Sequence, residues 1–76
     1  MGRKKVYRYP IIIEKSRKNY SAYSPDLPGC VATGATIRET LLHMRSAIKF
    51  HVEGLKKEGT EILQPSTKVK YIEISF

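Results

Sequence analysis

Tyr23-Ser24-Pro25-Asp26-Leu27-Pro28-Gly29-Cys30, followed by Gly34-Ala35-Thr36-Ile37-Arg38-Glu39, decides how this chain folds. Between Pro25 and Gly29 stand two prolines, an aspartate and a glycine. Proline presets φ near −65° and glycine admits positive φ, so the backbone is held in a rigid turn between two β-prone runs. A capping box comes next: Thr36 is the cap and Glu39 stands three residues on, which starts a helix.

Outward from this turn the elements follow. Val6 to Glu14 reads as a first strand, rich in Val, Tyr and Ile, with Pro10 removing one ladder donor. Lys15 to Asn19 is a polar turn, Tyr20 to Ser24 a second strand and Cys30 to Thr33 a short third one. A helix is expected from Ile37 to about Glu58, because Ile37, Leu41, Met44, Ile48, Val52 and Leu55 recur at three- and four-residue steps. Gly59 sits where a C′ residue belongs, and Gly54 is expected to serve close packing. Lys68 to Phe76 completes the pattern as a fourth strand. The expected architecture is α+β, β-β-β-α-β: one mixed four-stranded sheet in the order 3-2-1-4, with a single helix on one face. A right-handed crossover makes the fourth strand parallel to the first.

Seventy-six residues make one domain, with a basic start at residues 1–5 expected to be flexible. So short a chain buries only about 60% of its unfolded surface, and association adds to its stability. The single cysteine, Cys30, excludes an internal disulfide and suits a reducing cytoplasm. The longest apolar run, Ile11-Ile12-Ile13, is far too short to span a membrane. Fourteen Lys and Arg against seven Asp and Glu leave a net charge of +7, which draws polyanions or acidic partners.

Catalytic constellations are poor. His43 and His51 stand eight residues apart, not four, so they do not make a helical metal site, and no metal or other cofactor is expected. Asp26 is the only aspartate, and Glu14, Glu39 and Glu73 are scattered over separate elements, so converging carboxylates for a metal-dependent nuclease are lacking. The chain is not read as an enzyme.

The aromatic strand, Pro25-Asp26-Leu27-Pro28-Gly29-Cys30, the Gly34–Thr36 helix start, the amphipathic helix ending before Gly59 and the return at Pro65 together resemble the HicB-like antitoxin domain. The resemblance runs from about Val6 to Pro65. It implies a truncated ribonuclease-H-like sheet and a protein that binds and blocks HicA, a small basic mRNA-cleaving toxin. Many relatives carry a further carboxy-terminal DNA-binding module; this chain stops at Phe76, and none is expected here. The +7 charge sits awkwardly with a basic toxin, so the toxin-facing surface is expected to be locally apolar or acidic. The alternatives are a stand-alone basic oligomer that binds nucleic acid and a purely structural oligomer.

Three sets of residues are singled out. Tyr23, Pro25, Asp26, Leu27, Pro28 and Gly29 are expected to shape the partner-binding edge; replacing Asp26 and Leu27 together is expected to weaken binding with little change in melting temperature. One helix covers one sheet face, yet the first and last strands are apolar on both, so Val6, Ile12, Val69, Tyr71 and the helical Phe50 are expected at a dimer or tetramer interface. Arg3, Lys4, Lys5, Arg8, Lys68 and Lys70, interleaved with tyrosines, are the residues a nucleic-acid contact would use.

Overall fold

The computed structural model describes residues 5–76; the expectations for Arg3 and Lys4 lie outside the described residues. Three strands and one helix follow in order: β1 (Ile12–Lys15), β2 (Tyr20–Tyr23), β3 (Val31–Gly34) and α1 (Ile37–Lys57). The strands form one antiparallel sheet in the order β1-β2-β3. The β1–β2 turn is closed by Ser16 N–H donating to Asn19 O at 2.8 Å and by Ser16 Oγ donating to Asn19 Oδ1 at 2.6 Å. Lys15 and Tyr20 are paired across it, and the Lys15 ammonium lies 5.7 Å from the ring centre, a contact worth about 0.5–1 kcal/mol at the surface.

The helix begins and ends as its residues dictate. Thr36 Oγ1 accepts from Glu39 N–H at 3.0 Å, and the Glu39 carboxylate accepts from Ala35 N–H at 3.0 Å, one residue before the cap itself. At the other end Thr60 N–H reaches Leu55 O and Gly59 N–H reaches Lys56 O, a Schellman motif made possible by Gly59 at φ 73°. Thr40, fully buried, donates its hydroxyl back to Thr36 O at 2.7 Å and seats the first turn against Gly34 of β3. Met44 is the central core side chain, joined by Ala22, Leu27 and Cys30, with Tyr9, Ile11, Ile13, Ala32, Ala47 and Ile48 around them. The rest of the expected stripe is less buried: Ile37 and Leu41 are exposed, because the helix meets the sheet through Thr40 and Met44. Gly54 has open space where a Cβ would stand, so the expectation that it serves close packing is overturned.

The expected four-stranded sheet in the order 3-2-1-4 is overturned as well: among the described residues Lys68–Phe76 makes no ladder, and the sheet has three strands. The first strand is also shorter than the expected Val6–Glu14, starting only at Ile12, two residues beyond Pro10. The segment ahead of it is engaged differently. Tyr9 Oη donates to Leu63 O at 3.5 Å and Gln64 Nε2 to Val6 O at 3.4 Å, so side chains take the place of a ladder between residues 6–9 and 63–64. A four-residue edge and a returning chain held by side-chain bonds leave the last nine residues outside the sheet.

Candidate functional site

The register sorts the sheet's two faces. Ile13, Ala22 and Ala32 are opposed across the three strands and lie on the helix side. On the opposite face the pairs Ile12–Tyr23 and Tyr23–Val31 form one continuous apolar row. Beside it Glu14, Ser21 and Thr33 form a polar row. The helix does not cover this face: Tyr23 is 42% and Val31 64% exposed, and Ile12 is half-buried. Of the six ladder residues on this bare face one is a carboxylate and none is a cation, although the chain carries +7.

The 24–30 loop borders the same row. Ser24 N–H donates to Cys30 O, Leu27 N–H to Ser24 O and Cys30 N–H to Leu27 O at 3.1–3.3 Å, with Gly29 at φ 83° turning the chain. Leu27, only 7% exposed, and Cys30 point into the core, where burial raises the thiol pKa and leaves Cys30 a protonated packing residue. Asp26 is committed inward as well: its Oδ1 accepts from Ser66 N–H at 2.9 Å and Thr67 N–H at 3.2 Å. Burial pushes the Asp26 carboxyl up, but the backbone and hydroxyl donors of Ser66 and Thr67 outweigh it and hold the pKa below the ordinary value. The loop therefore leaves Pro25, Pro28 and Gly29 exposed, next to Tyr23. The expectation that Asp26 and Leu27 could be replaced without cost to folding is withdrawn, since one anchors the returning chain and the other fills the core.

The remaining expected residues are dispersed. Val69 stands with Arg8, Tyr9 and Pro10 around a hollow of about 380 Å³, close to the Ile12 end of the apolar row. Tyr71 and Val6 are exposed outside the strands, and Phe50, 82% exposed, stands on the helix. Tyr7 and Tyr9 stack with ring centres 6.2 Å apart and planes 8° from parallel. They border a cleft of about 230 Å³ with Ile11, Leu41, Arg45 and Ile48. The Tyr9 hydroxyl is harder to ionise than usual, first through burial and then through Tyr7 and Asp26. Val31 was not singled out from the sequence; its place follows from counting back across the 24–30 loop, which sets it opposite Tyr23. The Asp26 bonds to Ser66 and Thr67 span 40 and 41 residues, and no local pattern announces them.

Among the described residues no group of three or more His, Cys, Asp or Glu is placed to hold a metal ion. His43 Nδ1 donates to Thr33 O at 2.6 Å and so ties the helix to β3. Among the described residues no helix is long and apolar enough to cross a membrane.

Comparison with known proteins follows the same lines. The family model described as the HicB-like antitoxin of bacterial toxin-antitoxin system matches residues 9–74. An uncharacterized 14.9 kDa protein from the rep-hol intergenic region of Haemophilus phage HP1 is 39% identical over 64 residues, covering 84% of this chain and 48% of the phage protein. The chain thus spans about half the length of that relative. A UPF0150 protein of Thermoplasma acidophilum is 38% identical over 56 residues, covering 72% of this chain and 81% of its own. Among solved structures, a chain of a HicA3 and HicB3 toxin-antitoxin complex superposes with a TM-score of 0.65 at 32% identity, covering 79% of this chain and 70% of that one.

Proposed function

Because this chain belongs to the HicB-like antitoxins of bacterial toxin–antitoxin systems, we propose that it works by binding a small HicA-like toxin and blocking it, with no catalysis of its own. The observation that carries this reading is the likeness, in sequence and fold together, to a chain of a toxin–antitoxin complex. The bare sheet face supplies a physical means. Tyr23, Pro25, Pro28 and Gly29, joined by Ile12 and Val31, make an apolar band that an opposing surface can cover. Tyrosine is a preferred anchor at such contacts. Glu14 is the one charged side chain among the six ladder residues of this face, so a basic toxin docking on the ladder meets a neutral-to-acidic row in spite of the overall +7. A reducing cytoplasm is the setting this reading implies.

Self-association belongs to the same proposal, through Val6, Ile12, Phe50, Val69 and Tyr71. Among the described residues only Ala22, Leu27, Cys30 and Met44 are buried apolar side chains, a small core that association would enlarge. A second reading, nucleic-acid contact, is favoured by one arrangement: the stacked Tyr7 and Tyr9 with Arg8 between them in sequence, and Val69, which lies between Lys68 and Lys70 in sequence, across the hollow from Arg8.

Co-expression tests these readings together. A small basic protein encoded in the neighbouring reading frame should arrest growth alone, be relieved by this chain and co-purify with it. Failure to bind or relieve that protein would contradict the antitoxin reading. RNA binding that weakens with salt, by a slope of about −0.7 for each neutralised phosphate on a single strand, would support the second.

A further inference from the structure

Past Thr67 the chain leaves the body of the molecule. Its root is held by the Asp26 carboxylate, by Tyr9 and through Gln64, and Val69 still borders Arg8 and Pro10. Lys68 to Phe76 are then all exposed, Tyr71 at 92%. The molecule measures 53 Å along its longest axis, whereas a helix of 21 residues accounts for about 31 Å at 1.5 Å per residue. This arm is built for pairing. Val69, Tyr71, Ile72, Ile74 and Phe76 are strand formers on both faces, and from Tyr71 to Phe76 the only charge is Glu73. Bare backbone donors and acceptors with apolar side chains on either side make one half of a ladder.

We propose that Lys68–Phe76 is an interaction strand whose occupant is the same arm of a second copy, the two running antiparallel about a two-fold axis at Ile72. A second copy fits on charge: the arm holds two of the fourteen cations and one of the seven carboxylates, and the stretch that meets its counterpart is nearly neutral. The anchored root leaves less freedom to lose on pairing than a loose tail would have. Symmetry then selects the register. In a two-fold antiparallel pair, opposed residues share a face, so the axis passes beside one residue type, and the choices near the arm's middle are Tyr71, Ile72 and Glu73. Centring on Glu73 sets carboxylate against carboxylate. Centring on Tyr71 draws Thr67, whose N–H is already given to Asp26, opposite Ser75. Centring on Ile72 does neither. It opposes Lys70 to Ile74 and Lys68 to Phe76, keeps like charges apart, and gathers Ile72, Ile74 and Phe76 of both arms on one face.

The proposal deepens the self-association reading and is independent of any toxin. Its test uses the full chain alone, as wild type, Ile72→Lys and Ile72→Glu, by light scattering and sedimentation at micromolar concentration. Ile72 is exposed within one copy, so each variant should keep the wild-type fold, with the same helix content by circular dichroism. The wild type should be a dimer, each variant should dimerise at least about tenfold more weakly, and an equimolar mixture should restore the dimer as a Lys–Glu heterodimer. An Ile72→Cys variant should also form an intermolecular disulfide on mild oxidation. A monomeric wild type would overturn both self-association and the arm pairing. A dimer indifferent to both charges, not restored by mixing, or not linked through Cys at position 72 would overturn the pairing at Ile72 and leave self-association standing.

Discussion

Gly34 holds its place because of Thr40. A Cβ at position 34 would lie 2.7 Å from both the Thr40 backbone nitrogen and Oγ1 and 3.0 Å from its Cα. Thr40 is buried and its hydroxyl is committed to Thr36, so the neighbour cannot move aside cheaply. Gly34→Ala should therefore cost about 1–3 kcal/mol of stability. Gly54 is the opposite case: it sits within the helix with open space beside it, and Gly54→Ala should add about 1 kcal/mol. Thermal melts of the two variants should shift in opposite directions from wild type, and a shared direction would mean that the helix–sheet contact is misjudged. Only part of this was legible beforehand. The Thr36–Glu39 cap and the Gly59 stop are local patterns and are found as read, whereas Gly54 looked like a packing glycine because a sequence does not say which helix face meets the sheet.

At the scale of elements, the connection between the Pro25–Gly29 loop and the returning chain matters most. Asp26 accepts from Ser66 and Thr67 across the molecule and has its pKa lowered from an ordinary 3.8. The sign follows from that direction: a carboxylate more acidic in the folded state stabilises fully above the unfolded value and loses its contribution as pH falls through the folded one. Exchange of the Ser66 and Thr67 amides, corrected for intrinsic rate, should stay protected down to about pH 4 and open progressively below it. Asp26→Asn should open these amides at neutral pH and flatten the acid response, leaving the helix amides protected. Equal loss of protection in helix and arm would mean that Asp26 supports the whole fold. This contact also marks where the sequence stopped being informative. The strand order of the meander and the helix span follow from short-range periodicity, but the fate of Lys68–Phe76 depends on a bond 40 residues away and on Pro10 shortening β1. Its strand-like composition is visible in the sequence; that it pairs with no strand among the described residues is not.

For the whole molecule, one helix covers one face of a three-stranded sheet and leaves an Ile12–Tyr23–Val31 row open to solvent beside a rigid loop. Apolar surface of this kind, with one carboxylate and no cation among the ladder residues of its face on a chain of net charge +7, is the feature on which the antitoxin reading rests physically. The loop residues named from the sequence border this row, yet two of them, Asp26 and Leu27, face inward, because nothing local distinguishes a turn residue that meets a partner from one that closes the core. The open row is therefore the place to intervene. The most direct measurement is calorimetric titration of a small HicA-like toxin against wild type and a Tyr23→Arg, Val31→Arg double variant. The account predicts binding weakened at least about a hundredfold, that is by roughly 2.7 kcal/mol or more, with the melting temperature within a degree or two of wild type. Undiminished binding by a folded double variant would contradict it.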